Sequence, residues 1–199
     1  MHLVYECFEC NNSHPASTAS TSADWESNLF WSKFHALDNS LNLALSTLPE
    51  TLRCPDNAHD SDAVLINLQL HTATICLYRA AGARSQAETM VVPDVETRTS
   101  TAAQQIVTTI ALAVDINARF RNPFVAFAAF MASFVFLGDY VTTRDEGSMQ
   151  KLVALLDVMV AVGTQSPGFA ATLAVQMARE LDKTGVDPTA LQKVIAHPS

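Results

Sequence analysis

Charged residues are scarce in this chain, and the basic ones are outnumbered. Of 199 residues only 16% are Asp, Glu, Lys or Arg, against about 25% in an average globular domain. Twelve Lys and Arg stand against twenty Asp and Glu, which gives a formal net charge of −8. So apolar a composition excludes disorder of the whole chain, and this sign of charge opposes strong binding to a phosphate backbone. We therefore expect a globular protein that makes no direct contact with nucleic acid.

Glycine and cysteine are also rare, and common catalytic motifs are missing. With six glycines, the sequence contains no G-x-S-x-G, G-x-x-x-x-G-K-[ST], H-E-x-x-H or G-x-G-x-x-G. Cys7 and Cys10 form one C-x-x-C, but no second pair completes a four-cysteine zinc site, and few apolar residues would fix the nearby His2 and His14. Four cysteines without framework spacing favour a reducing compartment. The sequence predicts neither an enzyme nor a bound cofactor.

The negative charge is concentrated in the first third of the chain. Residues 1–62 carry nine acidic and two basic residues, and residues 11–23 are small and polar. Such a segment cannot bury enough surface to offset its ordering entropy. We therefore predict a flexible leader over residues 1–23 and a single all-helical domain over residues 24–199. The acidic residues are interpreted as a solvated face, with a basic partner as the less favoured alternative.

Apolar residues recur at steps of three and four along the rest of the chain, which is the period of an α-helix. The fold class that this predicts is all-α: a bundle of about six to seven helices with no sheet. The predicted helices run over residues 24–48, 61–81, 100–116, 122–137, 148–162, 169–183 and, as a short last one, 187–196.

Local signals set the predicted helix ends. Gly82 is expected to end the second helix, and residues 84–99 read as a connecting loop. Asn122 followed by Pro123 is typical of a cap with proline at the first helical position. Ser148 is the expected cap of the fifth helix.

The most apolar stretch runs from Phe124 to Leu137, where Ser133 is the one polar side chain. These fourteen residues rise about 21 Å as a helix, short of the hydrocarbon thickness of about 30 Å. We therefore interpret the stretch as a buried core helix, with a membrane-spanning segment as the alternative. Burying about eight large side chains contributes more than about 10 kcal/mol, so this helix is expected at the centre of the core.

Two polar residues stand out in the apolar second helix. His71 lies among apolar residues, and Arg79 follows eight residues later, on nearly the same side of a helix. One interpretation is a polar clamp for a ligand inside the bundle. The favoured one is a histidine hydrogen-bonded to a neighbouring helix, because buried polar groups need partners. His71 and Arg79 are thus the candidate ligand or structural polar pair.

Three further patterns are interpreted structurally. His35 with Asp38, and His59 with the two acids that follow it, lack a third ligand at helical spacing and are read as solvated or capping groups. Residues 152–156 match the L-x-x-L-L box of coactivator-docking helices. Their neighbours are apolar too, so a core helix is the preferred interpretation.

A series of short motifs occurs in a fixed order along the chain. They are Trp31 with Leu48-Pro49-x-x-Leu52-Arg53, Asn67-Leu68-Gln69-Leu70-His71, Leu77-Tyr78-Arg79, Asn122-Pro123-Phe124 with Ala132 and Val135, and Leu152, Leu155-Leu156, Met159, Ser166-Pro167 and Leu173. The ordered set resembles the regulatory domain, or middle homology region, of fungal zinc binuclear-cluster transcription factors. The resemblance covers roughly Asp24 to Gly185; each motif is degenerate, and the order is what is specific.

The chain departs from that family in two places. Where such proteins commonly have Tyr-His and then His-Arg-Pro, this chain has Leu-His at 70–71 and Tyr-Arg-Ala at 78–80. The six-cysteine DNA-binding cluster of the family opens with C-x-x-C-x(6)-C, but the cysteine that follows Cys10 here is Cys54. No zinc-binding or DNA-contacting role is therefore carried onto any residue of this chain.

The resemblance implies a nuclear regulatory domain, corresponding to the C-terminal portion of such a factor. It would transmit an effector or coregulator signal to a zinc-cluster DNA-binding module not present in this chain, and zinc would belong to that module alone. Coregulator proteins or a small-molecule effector are the expected partners, with a dimer left open and no membrane expected. The alternatives are a stand-alone helical interaction protein, or a small-molecule-binding or enzymatic helical domain.

Overall fold

The computed structural model describes residues 5–7, 9, 20–88, 92–113, 122–165 and 168–185, and every regular element within them is helical. The elements are α1 (Ser20–Thr47), the 3-10 turn η1 (Glu50–Leu52), α2 (Ser61–Glu88), α3 (Val95–Leu112), α4 (Pro123–Thr143), α5 (Glu146–Gln165) and α6 (Phe169–Lys183). The predicted all-α bundle of six to seven helices is confirmed.

The two ends of the predicted domain are described only in part. Residues 5–7 and 9 are helical, and the rest of the predicted leader up to residue 19 lies outside the described residues. α1 begins at Ser20, four residues before the predicted start of the first helix at residue 24. The predicted last helix, over residues 187–196, also lies outside the described part of the chain.

α2 and α4 each pack against four other elements. α2 packs against α1, η1, α3 and α4, and α4 packs against α2, α3, α5 and α6. α3 runs back along α2, because Gly82 near the end of α2 lies beside Val95 at the start of α3. α4 runs parallel to α2: their first turns line one cavity, and further along Arg79 of α2 lies over Phe134 of α4.

Small side chains let the neighbouring helices approach α4 closely. The fully buried residues on this helix are Ala126, Ala128, Ala129, Ala132 and Ser133. The Ser133 hydroxyl donates a hydrogen bond to the Ala129 carbonyl at 2.8 Å, so its polar atom is satisfied within the helix. Close helix packing of this kind supports the interpretation of α4 as a core helix.

The length argument against a membrane segment was wrong, because α4 has 21 residues and a rise of about 31 Å. By length and composition, α4 and residues 146–164 of α5 are both long and apolar enough to cross a membrane. In the bundle, 56% of the apolar window of α4 and 39% of that of α5 are buried. Burial against other helices, rather than length, is what favours α4 as a core element.

The second and third helices are longer than predicted. α2 continues through Gly82 to Glu88, and α3 starts at Val95 rather than Ser100. Gly82 does not end the helix; a Cβ there would lie 3.3 Å from a methyl group of Val95, so the glycine serves close helix packing. The last turn of α2 is held by an ion pair between Arg84 and Glu88 at 2.6 Å.

Two predicted helix starts are confirmed and one is wrong. The Asn122 side chain accepts a hydrogen bond from the Phe124 backbone N–H at 3.0 Å, and Asp60 accepts one from the backbone N–H at residue 62 at 2.8 Å. Ser148 does not cap α5. Its backbone N–H and its hydroxyl both donate to the carboxylate of Asp145, at 2.8 and 3.0 Å, so Asp145 is the capping residue.

Candidate functional site

The candidate site is built on α2, whose polar side chains connect it to the surrounding helices. At its C-terminal end, Glu88 accepts hydrogen bonds from Ser27 (2.7 Å) and Trp31 (2.8 Å) of α1, and from Arg84 (2.6 Å). Burial alone would raise the pKa of Glu88, but these three donors and the charge of Arg84 outweigh it, and the net pKa is lowered. Glu88 therefore joins α1 to α2 as a carboxylate.

Two further hydrogen bonds join the middle and the start of α2 to its neighbours. The Tyr78 hydroxyl donates to Asp38 of α1 at 2.9 Å, and burial together with this bond raises the pKa of Tyr78 to about 12. The Asn67 amide nitrogen donates to the Leu52 carbonyl of η1 at 2.6 Å. Asn67, Tyr78 and Leu52 all belong to the motifs that carry the resemblance, so residues from separate motifs contact each other.

His71 is held as a neutral imidazole in the middle of α2. It is partly buried, and burial lowers its pKa from 6.5 to about 4. The described part of the chain supplies the imidazole with no hydrogen-bond partner or ion pair. The ring is thus a polar group in an apolar setting that is kept uncharged by desolvation.

Thr72, the next residue, is fully buried, and its hydroxyl oxygen has no hydrogen-bond partner among the described residues. An unpaired buried hydroxyl costs about 1–3 kcal/mol relative to a satisfied one. α2 therefore carries one buried hydroxyl, that of Thr72, that its present packing does not satisfy, next to an imidazole that burial keeps neutral.

Thr72→Val is expected to raise the melting temperature by about 2–4 °C, because valine keeps the shape of threonine without the unpaired hydroxyl. Thermal unfolding followed by circular dichroism measures the shift. Thr142→Val is the matched control, since Thr142 is exposed and its hydroxyl is satisfied by the Gly138 carbonyl at 2.9 Å. A lower melting temperature for Thr72→Val than for the unaltered chain would contradict the assignment.

Arg79 is directed toward α4. Its guanidinium carbon lies 4.4 Å from the ring centroid of Phe134, a cation–π contact, and burial lowers the pKa of Arg79. Cys76 lies less than one turn before it, and burial raises the pKa of that thiol to about 12 despite the opposing charge of Arg79. The thiol is therefore protonated at neutral pH and is not an activated nucleophile.

The structure places His71 and Arg79 at different levels of one unbroken helix. Eight residues correspond to about 12 Å along the axis and about 80° around it. Arg79 contacts Phe134, whereas the described residues form no bond between the two side chains. A ligand that engages both would have to extend over two turns of α2.

The other candidate residues lie in surroundings that indicate structural rather than chemical roles. His35 is exposed with its ring against Phe34, Asp38 accepts the Tyr78 hydrogen bond, and His59 is exposed in a turn. Cys7 is buried, while Cys10 lies outside the described residues; within the described ranges no three His, Cys, Asp or Glu side chains are grouped to hold a metal ion.

The L-x-x-L-L segment lies on α5 and faces inward. Leu152 and Leu155 are almost fully buried and Leu156 is partly buried against the core. The interpretation of this segment as part of a core helix is confirmed.

Sequence reasoning did not find the Glu88 network or the unpaired hydroxyl of Thr72. The residues that meet at Glu88 are separated by up to 61 positions, and the region around it was read as a loop. Trp31, already prominent in the motif series, was the available signal, because a buried indole N–H usually has an acceptor. For Thr72 no sequence signal existed, since the free-energy cost of its unpaired hydroxyl depends on which side chains surround it in the fold.

Comparisons of the chain with family models, curated proteins and solved structures give no significant match. The resemblance to fungal regulatory domains accordingly rests on motif order, and the function it implies is a proposal.

Proposed function

We propose that the chain is the regulatory domain of a fungal zinc-cluster transcription factor, acting in the nucleus. It passes an effector or coregulator signal to a DNA-binding module outside this chain. The observation that supports this most is the position of α2, a single helix in contact with α1, η1, α3 and α4. A change at any face of α2 is therefore transmitted directly to four other elements.

Three of the four neighbours of α2 are joined to it by a specific contact that a shift of the helix would alter. Tyr78 bonds Asp38 of α1, Asn67 bonds the η1 carbonyl, and Arg79 lies over a ring of α4. These contacts have defined geometry, so they form or break rather than deform gradually. Regulation requires two such discrete arrangements with different affinity for the signal.

The unsatisfied hydroxyl of Thr72 favours a second arrangement of α2, because it raises the free energy of the present packing. A packing that gives this hydroxyl a hydrogen-bond partner recovers part of that cost, about 1–3 kcal/mol. This is the range of coupling free energies found between linked sites, about 1–3 kcal/mol.

A fusion of the chain to a zinc-cluster DNA-binding module tests the function in a fungal reporter strain. The fusion is expected to change reporter output at least about fivefold relative to the module alone, the lower end of a coupling of this size. Thr72→Val, which removes one driving force for rearrangement, should reduce that change. Thr142→Val, at an exposed helical position, should leave it intact.

Two outcomes contradict the proposal. The first is a fusion that is as abundant as the module alone on an immunoblot and gives the same reporter output. The second is a reporter change that Thr72→Val and Thr142→Val reduce equally, because this would remove α2 from the coupling.

A stand-alone interaction protein is the second candidate, favoured by large apolar side chains that are exposed in the structure. They are Leu29 and Leu43 on α1, Leu112 on α3, Val141 on α4, Val160 on α5, and Phe169 and Val175 on α6. Exposed apolar residues are common singly and indicate an interface where they cluster. A reporter-silent but well-folded fusion would make this candidate the better account.

A further inference from the structure

A cavity of about 240 Å³ lies between the first turns of α2 and α4. Its apolar part is formed by Val64 and Leu68 of α2 and Val125 of α4, all of which are buried. Its polar part is formed by Asp62 and Asn122, at the starts of the same two helices. The cavity thus combines an apolar interior with a polar rim.

The volume of the cavity decides the size of ligand that fits. An apolar cavity of about 150 Å³ binds benzene, and sites for drug-sized ligands begin near 300 Å³. At about 240 Å³ this cavity admits one ring with a short side chain, or a short aliphatic chain. A nucleotide or a dinucleotide cofactor is too large.

The charge around the cavity selects a cation over an anion. The Asp60 carboxylate already accepts a backbone N–H bond, and the Asn122 side-chain oxygen accepts one from Phe124, so both helix starts are capped. Two helix N-termini contribute about +0.5 charge each. Against them stand the carboxylate of Asp62, which lines the cavity, and that of Asp60, which lies beside the lining at the start of α2, and this leaves about −1.

We propose that this cavity binds a small organic cation, a primary amine that carries one aromatic ring or a short aliphatic chain. The apolar group packs against Val64, Leu68 and Val125, and the ammonium group lies at the carboxylate of Asp62. As the effector site of a regulatory domain the assignment rests on the function proposed above.

A ligand in this position contacts two helices whose relative placement matters. α2 and α4 meet again further along, where Arg79 lies over Phe134. Occupancy fixes the separation of the two first turns, and the rigid helices carry that constraint along their length. The cavity therefore supplies a route by which a small cation biases the packing of α2.

The test is a titration of the full chain, with methyl NMR shifts of Val64, Leu68 and Val125 as the readout. Three probes of similar shape differ in charge: 2-phenylethylamine, 2-phenylethanol and phenylacetate. The amine is expected to bind with a dissociation constant below about 1 mM, in keeping with about nine heavy atoms. The alcohol should bind about tenfold more weakly, and the acid more weakly still.

Matched variants distinguish the effect of the Asp62 carboxylate on binding from the effect of the net charge of the chain. Asp62→Asn is expected to weaken binding of the amine about tenfold and to leave the alcohol unchanged. Asp56→Asn changes the net charge equally at an exposed turn position that does not line the cavity, and should have little effect. Leu65→Phe, at a partly buried lining residue, fills the cavity and should abolish binding of all probes.

Three results overturn the site. The first is that no probe shifts the methyl signals at a concentration 10-fold above the expected dissociation constant. The second is that all three probes bind equally, and the third is that Asp62→Asn and Asp56→Asn have equal effects on binding. The reporter fusion separates this proposal from the function. If the amine binds but the fusion does not change reporter output, the cavity is a binding site without a regulatory role. If the fusion changes reporter output but the amine does not bind, the proposed function stands and the cavity is not the effector site.

Discussion

Phe136→Ala is expected to lower the free energy of unfolding by about 3–5 kcal/mol. Phe136 is 2% exposed at the centre of α4, so the truncation removes a buried ring and leaves a cavity among side chains that cannot fully collapse. The ammonium nitrogen of Lys151 also lies 5.1 Å from the centroid of this ring, which is a cation–π contact. Against a typical domain stability of about 5–15 kcal/mol, this is a large fraction. Urea unfolding followed by circular dichroism gives the value.

Phe124→Ala is the matched control for that experiment. Phe124 begins the same helix and is only partly buried, so the same truncation there should cost about 1–2 kcal/mol. Equal effects at the two positions, or a loss below about 1 kcal/mol at Phe136, would contradict a core role for α4. The second outcome is what the membrane alternative predicts, because a ring facing lipid leaves no cavity when removed.

Local chemistry explains which parts of the fold were predictable from sequence. The start of α4 was found because Asn122 and Pro123 form a cap whose bond spans two residues. The end of α6 was predicted at residue 183, and the structure agrees: Gly185 follows it with a φ of 67°, a conformation that glycine adopts at low cost. The end of α2 was missed because Gly82 serves packing against Val95, and the sequence alone does not show which helix lies beside it.

The candidate site was predictable to a similar degree. His71 and Arg79 stood out as polar residues in an apolar helix, which is a sequence property. The Arg79 contact with Phe134 and the joining of Trp31 to Glu88 arise between residues more than fifty positions apart. Such pairings depend on how helices dock, and no periodicity within one helix specifies them.

Stability is expected to fall between pH 6.5 and pH 4 by up to about 3 kcal/mol because of His71. Its folded-state pKa of about 4 lies below the ordinary value of 6.5, so between these pH values the unfolded chain binds a proton that the folded chain does not bind. The stabilisation is complete above pH 6.5 and is lost as the pH falls toward 4. Urea unfolding midpoints at pH 7.5, 6.5, 5.5 and 4.5 measure this dependence.

His71→Leu isolates the contribution of the imidazole. The variant should show a nearly flat stability between pH 6.5 and 4.5, because leucine has no proton to bind. The lowered pKa of Glu88 affects stability at and below its ordinary value of 4.5, at the acid end of this range, so the change between pH 6.5 and pH 5.5 reports His71. His59→Gln, at an exposed turn position, should retain the full pH dependence. The assignment is wrong if His71→Leu keeps the slope of the unaltered chain, since the acid sensitivity would then arise from other groups.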